Sequence, residues 1–277
     1  MSIAVCMKWV ALRPVVDPLT GSIDTDDRWS GPSLADRAAL ELALQIATTR
    51  DTSVHVYTVG GTAADAMLRD ALAAGADSAT RVESTEHPAS FAVAAALADA
   101  IRPLSPELVL CGDWSIDRGS ASVPPFLAGE LGIGQACGLV GVRSEPDNIL
   151  VGERRLDGGR RERIRITGPA VLSVEGSVAA LRRAGLAPTL AAQRATLSVL
   201  KPRHPLHPAP VPHRVGPFRP RARVLDGPTT SDTPRSRIET LTGALANRTP
   251  PQKLTLDPDE AADAILRQLA EWGYTDR

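Results

Sequence analysis

A run of small and polar residues, Gly112-Asp-Trp-Ser115-Ile-Asp117-Arg-Gly119-Ser120-Ala121-Ser122-Val123-Pro124, follows the apolar stretch Leu108-Val-Leu-Cys111. It reads as a buried strand, a loop and a helix start. Small residues let backbone N–H groups approach an anion, and the first turn of a helix adds partial positive charge. Ser120 and Ser122 add hydroxyl donors suited to a phosphate. An ordinary strand-to-helix loop with N-cap serines uses the same residues, so the run alone leaves both readings open. It lacks the Gly-Lys-Ser/Thr of a P-loop and the GxGxxG of a dinucleotide fingerprint. Gly60-Gly61-Thr62, between a strand and a helix, offers a second anion site, although glycine before a helix is commonly structural.

Other clusters point away from catalysis. His204, His207 and His213 lie in a proline-rich stretch, where extended geometry sets the first two about 9 Å apart. No Cys or paired carboxylate stands nearby, so no metal site is expected. Asp24, Asp26 and Asp27 lack calcium-loop spacing and read as a solvated loop. Arg154, Arg155, Arg160, Arg161, Arg163 and Arg165 are interleaved with Glu153, Asp157 and Glu162, the pattern of a solvated or partner-facing hairpin. No Ser/His/Asp or Cys/His grouping is poised for nucleophilic attack, and no catalytic residue is assigned.

The elements that must position these residues come from periodicity. Ile3–Lys8, Val54–Val59, Ala79–Val82 and Glu107–Cys111 read as short strands, alternating with helices over 33–49, 62–74, 88–101 and 124–131, an arrangement of βαβ units on a parallel sheet. Ser33 with Asp36 three places on predicts a capping box. From residue 137 the pattern changes to antiparallel strands, 137–142, 149–155 and 161–167, with Asp157-Gly158-Gly159 as the turn. Ala170–Val174 returns to a buried strand. Residues 1–198 are expected to form one domain.

Beyond it, Pro202, Pro205, Pro208, Pro210, Pro212, Pro217 and Pro220 exclude a helix or central strand and predict an extended arm. Short amphipathic helices follow over 237–247 and 258–272. Residues 199–277 therefore read as an arm and terminal helices that dock on something.

Composition narrows the class. The chain has 277 residues, 43% hydrophobic and 3% aromatic, with a formal net charge of −1. A nucleic-acid binder would carry a basic excess, and none is present. Cys6, Cys111 and Cys137 sit in apolar runs and fit a reducing cytoplasm rather than a disulfide scaffold. Neither an export signal nor a run long enough to span a bilayer is read.

Lys8, the helix beginning at Ser33, the run Leu68-Arg-Asp-Ala-Leu-Ala-Ala-Gly75-Ala76-Asp77 and Gly112-x-x-Ser115-x-Asp117 resemble the β-subunit of electron-transfer flavoproteins. The likeness continues through Leu127-Ala-Gly-Glu-Leu-Gly132, Leu186-Ala-Pro-Thr-Leu190-Ala-Ala and Arg248-Thr-Pro-Pro251-Gln. Ser33-Leu34 stands where the family often has Asn-Pro, and Ala191 where a proline usually follows the leucine, which marks a divergent branch.

The resemblance implies an α/β, Rossmann-like, mostly parallel sheet of the adenine-nucleotide α-hydrolase type, with a small antiparallel extension and an extended C-terminal arm. It implies an electron carrier rather than a turnover enzyme: a heterodimer with an α-subunit that holds the redox-active FAD, and AMP or a second FAD in this subunit. Carried over by position, that pocket uses Cys6, Ser33, Gly60, Asp117 and the loop Gly119, Ser120, Ala121, Ser122 and Val123. The loop around Leu190 corresponds to the recognition loop for partner dehydrogenases, and the arm embraces the α-subunit. Membrane contact would be indirect, through an electron acceptor.

Two other classes share the sheet. A stand-alone adenine-nucleotide-binding regulatory module of universal-stress type is usually shorter and has no long arm. An ATP-cleaving enzyme of the related hydrolase fold would need a Ser-Gly-Gly-x-Asp-Ser-type loop after the first strand, where this chain has Trp9-Val-Ala-Leu.

Overall fold

The computed structural model describes residues 2–84, 88–146, 149–209, 233–242, 253–272 and 274. They fall into two compact units, Met1–Phe218 and Arg219–Arg277. The first unit is built on β1 (Ser2–Cys6), β2 (Trp9–Ala11), β3 (Val15–Val16), β4 (Ile23–Asp24), β5 (Ser30–Pro32), α1 (Leu34–Arg50), β6 (Ser53–Gly60), α2 (Asp65–Ala74), β7 (Ser78–Glu83), α3 (Ser90–Ile101), β8 (Leu108–Gly112) and α4 (Val123–Leu131). It continues through β9 (Gly134–Ser144), β10 (Leu150–Arg155), β11 (Arg161–Ile166), β12 (Ala170–Val174), α5 (Leu186–Arg194) and β13 (Ser198–Leu200).

Nine strands form one sheet in the order β11-β10-β9-β12-β8-β1-β6-β7-β13. Every pair from β9 through β12 to β13 runs parallel, and β9–β10–β11 is the antiparallel extension. The central strands are apolar on both faces because helices cover both. Alternation sorts them: Ile3, Val5, Leu108 and Leu110 pack with α1 and α2, whereas Ala4, Cys6, Val109 and Cys111 pack with α3 and α4. With few aromatics, alanine does much of the fitting. Ala38, Ala39 and Ala43 are fully buried and bring α1 close to the sheet, while Leu40 and Leu68 fill the layer between. Each such leucine contributes roughly 1.5–3 kcal/mol by burial.

Helix α1 starts as its sequence demands. The Ser33 hydroxyl accepts from Asp36 N–H, and the Asp36 carboxylate accepts from the Ser33 backbone. Gly75 ends α2 at φ +119°, a conformation that suits glycine.

Several boundaries differ from the periodic reading. β1 stops at Cys6 rather than Lys8, because the chain turns to pair Trp9–Ala11 with Ser30–Pro32. The segment 186–192, expected as a loop, is helical within α5; Pro188 falls in its first turn, where a missing N–H costs nothing. Its return strand β13, parallel to β7, has no periodic signature at three residues.

In the second unit, α6 (Pro234–Thr242) and α7 (Pro258–Glu271) are helical. Asp257 caps α7, accepting from the N–H groups of Asp259 and Glu260. Of the expected extended arm from Lys201 to about Pro234, residues 210–232, His213 among them, lie outside the described residues, as do the end of the 237–247 helix and 248–252. Among the described residues, no helix is long and apolar enough to cross a membrane.

Candidate functional site

The chain leaves β1 toward β6 and β7 on one side, then crosses to β8 and β12 on the other. Strand order therefore reverses between β1 and β8, and the crevice at the carboxyl ends of those strands is where open α/β sheets bind ligands. A cavity of about 530 Å³ opens there. Three turns converge on it: Cys6–Trp9 after β1, Gly60–Ala64 after β6, and Gly112–Pro124 between β8 and α4.

Of the residues singled out by sequence, Cys6, Gly60, Asp117, Ser120, Ala121, Ser122 and Val123 line the cavity. Ser33 and Gly119 do not. Ser33 stands one layer behind, its hydroxyl donating to Asp36 Oδ2 at 2.8 Å, and Asp36 is the lining residue. Gly119 shapes the loop: its φ is +58°, its N–H bonds Ser115 O at 2.8 Å, and a Cβ there would stand 2.8 Å from Trp114 Nε1. Leu190 is apart from the cavity lining, on α5, with its side chain partly exposed.

The loop before α4 is built to present backbone amides. Ala121 holds φ +50°, in the left-handed region, and Ser122 follows at φ −91°. Such alternation turns successive N–H groups toward one side, a concavity that takes anions. Pro124 and Pro125 remove two donors from the helix start, so amide donation concentrates at Ser120–Val123 while the helix dipole remains. Gly112 is needed for a different reason: a Cβ there would meet Asp36 Oδ1 at 2.8 Å and Asp36 N at 2.9 Å. Only glycine lets the end of β8 slide under the first turn of α1.

Charged groups that periodicity could not foresee complete the wall. Lys8 Nζ lies 2.5 Å from Asp117 Oδ2 and reaches Ser115 Oγ at 3.5 Å. Arg81, almost fully buried, bonds Asp65 Oδ1 at 2.7 Å. Arg118 donates to Pro88 O at 2.7 Å. Burial alone would raise the Asp117 carboxyl, but hydrogen bonds from Lys8 and Ser115 hold it below its ordinary range. Burial pushes Asp36 up to about 6, only partly offset by Ser33 and Lys8. Asp113 is raised by burial and by the Glu175 charge. The apolar wall is Val59, Val93 and Leu97, with Trp9 and Trp114 beside it. The cavity thus combines apolar walls, a strip of backbone amides and a few cations. Among the described residues no histidine lines it; its titratable groups are Lys8, Asp36, Asp113, Asp117 and the two thiols Cys6 and Cys111, with Arg81, Arg118 and Glu83 beside them.

A second built feature supports α5. Arg69 Nη1, on α2, donates to the carbonyls of Ala192, Gln193 and Ala195 at 2.8, 2.8 and 2.9 Å. A cation on the last carbonyls of a helix complements its dipole. The approach to α5 is held by Arg182, whose Nε and Nη2 each reach a different oxygen of buried Glu41 at 2.9 Å. Leu186 and Leu190 are thus displayed on a helix whose last carbonyls Arg69 holds and whose preceding segment Arg182 ties to α1.

Comparison with known proteins places these features. The electron transfer flavoprotein domain profile matches residues 22–204. The electron transfer flavoprotein subunit beta of Thermoanaerobacterium thermosaccharolyticum is 34% identical over 160 residues, 57% of this chain and 61% of that protein. The chain thus spans about three fifths of the length of that relative. The protein FixA of Bradyrhizobium diazoefficiens is 31% identical over 207 residues, 70% of each chain. The electron transfer flavoprotein subunit beta of Chromohalobacter salexigens is 30% identical over 259 residues, 92% of this chain and 90% of that protein. With the profile covering most of the sheet and a relative aligned nearly end to end, the chain belongs to the electron transfer flavoprotein family, on its β-subunit side.

Proposed function

We propose that this chain is the β-type subunit of a heterodimeric electron-transfer flavoprotein that carries electrons from a dehydrogenase to a downstream acceptor. The observation that carries the reading is the convergence of the turns after β1, β6 and β8 on one cavity at the strand-order reversal. In this reading the cavity holds AMP, or a second FAD, and the partner α-subunit holds the main FAD. The residues fit such a group: Ser120, Ala121 and Ser122 line the cavity with small side chains, and Ala121 holds the left-handed turn that a backbone anion site uses. AMP supplies no redox chemistry, whereas a second FAD would add an electron-carrying ring.

The chain's own residues bind and orient. Backbone N–H groups from Ser120 to Val123 donate to the phosphate, with the α4 dipole behind them. Lys8 supplies a positive charge at the mouth and is aimed by Asp117. Val59, Val93 and Leu97 take the face of the heterocycle and keep water off it.

Two surfaces suit protein partners. Leu186 and Leu190 on α5 are exposed yet rigidly supported, as a docking site for a flavin-dependent or other dehydrogenase requires. The β3–β4 hairpin bares Val15, Val16, Leu19 and Ile23, and α7 bares Ile265 and Leu266, apolar area that a lone protein rarely leaves open. These are the surfaces assigned to the α-subunit, with α7 and the segment before it forming the clamp. A cytoplasmic setting, with the membrane met only through the electron acceptor, completes the assignment.

Co-expression with a candidate α-subunit tests it. A yellow heterodimer that releases an adenine nucleotide on denaturation is the expected product. A colourless, monomeric chain with nothing bound would overturn the assignment.

A further inference from the structure

Cys6 and Cys111 are direct partners in the register of β1 and β8. Both side chains lie on the face covered by α3 and α4, and both line the nucleotide cavity. Across the sheet they continue a row with Tyr57, opposite Cys6, and Ser173, opposite Cys111. Neighbouring strands lie about 4.8 Å apart, inside the roughly 4.4–6.8 Å Cα range that a disulfide needs. Register therefore makes the two residues nearest neighbours across the strands, with their side chains on one face. Cys6 is 6% exposed and Cys111 4%, and the exposure they share with the solvent is through the cavity.

We propose that Cys6 and Cys111 form a redox-modifiable dithiol on the cavity floor, closed to a disulfide by a small hydroperoxide entering through the cavity and covered when the cavity is filled. Sulfur of Cys6 attacks the peroxide O–O bond, becoming a sulfenic acid as one water (or alcohol) leaves. Sulfur of Cys111 then displaces the hydroxyl from Cys6, the S–S bond forms, and a second water leaves with the Cys111 proton. The two thiols lose two electrons and the peroxide gains them. The order follows from the environment: the neighbouring Cys6 thiol and burial both push the Cys111 thiol up, which keeps it protonated and makes it the resolving partner. Cys137 stands on β9, two strands from Cys111, with its thiol donating toward Gln135 Oε1 at 3.8 Å, and takes no part.

The pairing stands on strand register alone; the covering rests on the nucleotide reading above. The test uses the full chain, reduced, then treated with hydrogen peroxide and digested without reductant. Mass spectrometry is expected to find the Cys6 and Cys111 peptides joined, two hydrogens lighter, and equally so in Cys137→Ser. Free or singly oxidised Cys6 and Cys111 peptides without the joined species would overturn the pairing. AMP at ten times its calorimetric dissociation constant is expected to slow joining about tenfold, the fraction of cavities left empty. An unchanged rate with AMP demonstrably bound would overturn the covering. If calorimetry detects neither AMP nor FAD binding, the nucleotide reading fails while the joined peptide still decides the pairing.

Discussion

Gly112 and Asp36 touch across the join between β8 and α1, where a single methyl group would stand 2.8 Å from the Asp36 carboxylate. The contact sets how closely the carboxyl end of the central strands approaches the first helix, and so the depth of the cavity. Gly112→Ala is expected to force a backbone shift and cost about 1–3 kcal/mol of stability. Urea unfolding measures it, and a midpoint equal to that of the parent would show that the approach is not tight.

Asp36 also links stability to pH. Its carboxyl is raised from 3.8 to about 6 by burial, so the folded state prefers the protonated form. That preference is fully expressed below the unfolded value and is lost as pH rises through about 6. The shift corresponds to about 3 kcal/mol between pH 4 and 7. Asp36→Asn keeps the acceptor for Ser33 and removes the proton. Its stability relative to the parent should therefore increase from pH 4 to 7, and a parallel pair of pH–stability curves would refute this.

Lys8 and Asp117 are both partly exposed, so their ion pair contributes little to stability, about 1 kcal/mol at most. In the proposed nucleotide reading it aims Lys8 at the cavity mouth. Asp117→Asn is expected to leave the thermal midpoint nearly unchanged and to weaken AMP binding about tenfold, as loss of one charge-assisted interaction does. Calorimetry reads both; an unaltered affinity would remove Lys8 from the site.

Arg69 holds three carbonyls at the end of α5. Arg69→Met keeps the packing stem but not the donors, and should cost about 1–3 kcal/mol locally. Amide hydrogen exchange should then quicken across residues 186–195 while the β1 and β8 amides stay protected. Leu190→Ala, by contrast, should leave exchange unaltered and lower electron transfer from the cognate dehydrogenase. Equal transfer rates for parent and variant would remove Leu190 from the interface.

Local signals in the sequence were readable where one residue type has one physical use. The Ser33–Asp36 capping box, the Gly75 helix stop and the strand–loop–helix run around Gly112 appear where spacing predicts them. What spacing could not show depends on contacts distant in the chain. Lys8 meets Asp117 from 109 residues away, and Asp36 reaches the cavity only because Gly112 admits it. Family likeness points to Ser33 as a pocket residue; its hydroxyl makes the helix cap, and Asp36, three places on, is the one that lines the cavity. Residues 186–192 read as a loop from the family likeness; they form a helix whose last carbonyls are held by Arg69 from 123 residues away. The pairs β2–β5 and β3–β4 are too short to carry an alternation.

The two borders of the nine-stranded sheet are guarded differently. β13 is three residues long, offering few unpaired backbone groups. β11 is longer, but Arg161, Arg163 and Arg165 are exposed along it at every second position. A second copy approaching that border to extend the sheet would set like charges against one another across 4–5 Å, a repulsive arrangement. The arginine-rich hairpin, which in sequence reads as a solvated or partner-facing face, is thus also a border on which a second copy's strand would find no favourable pairing.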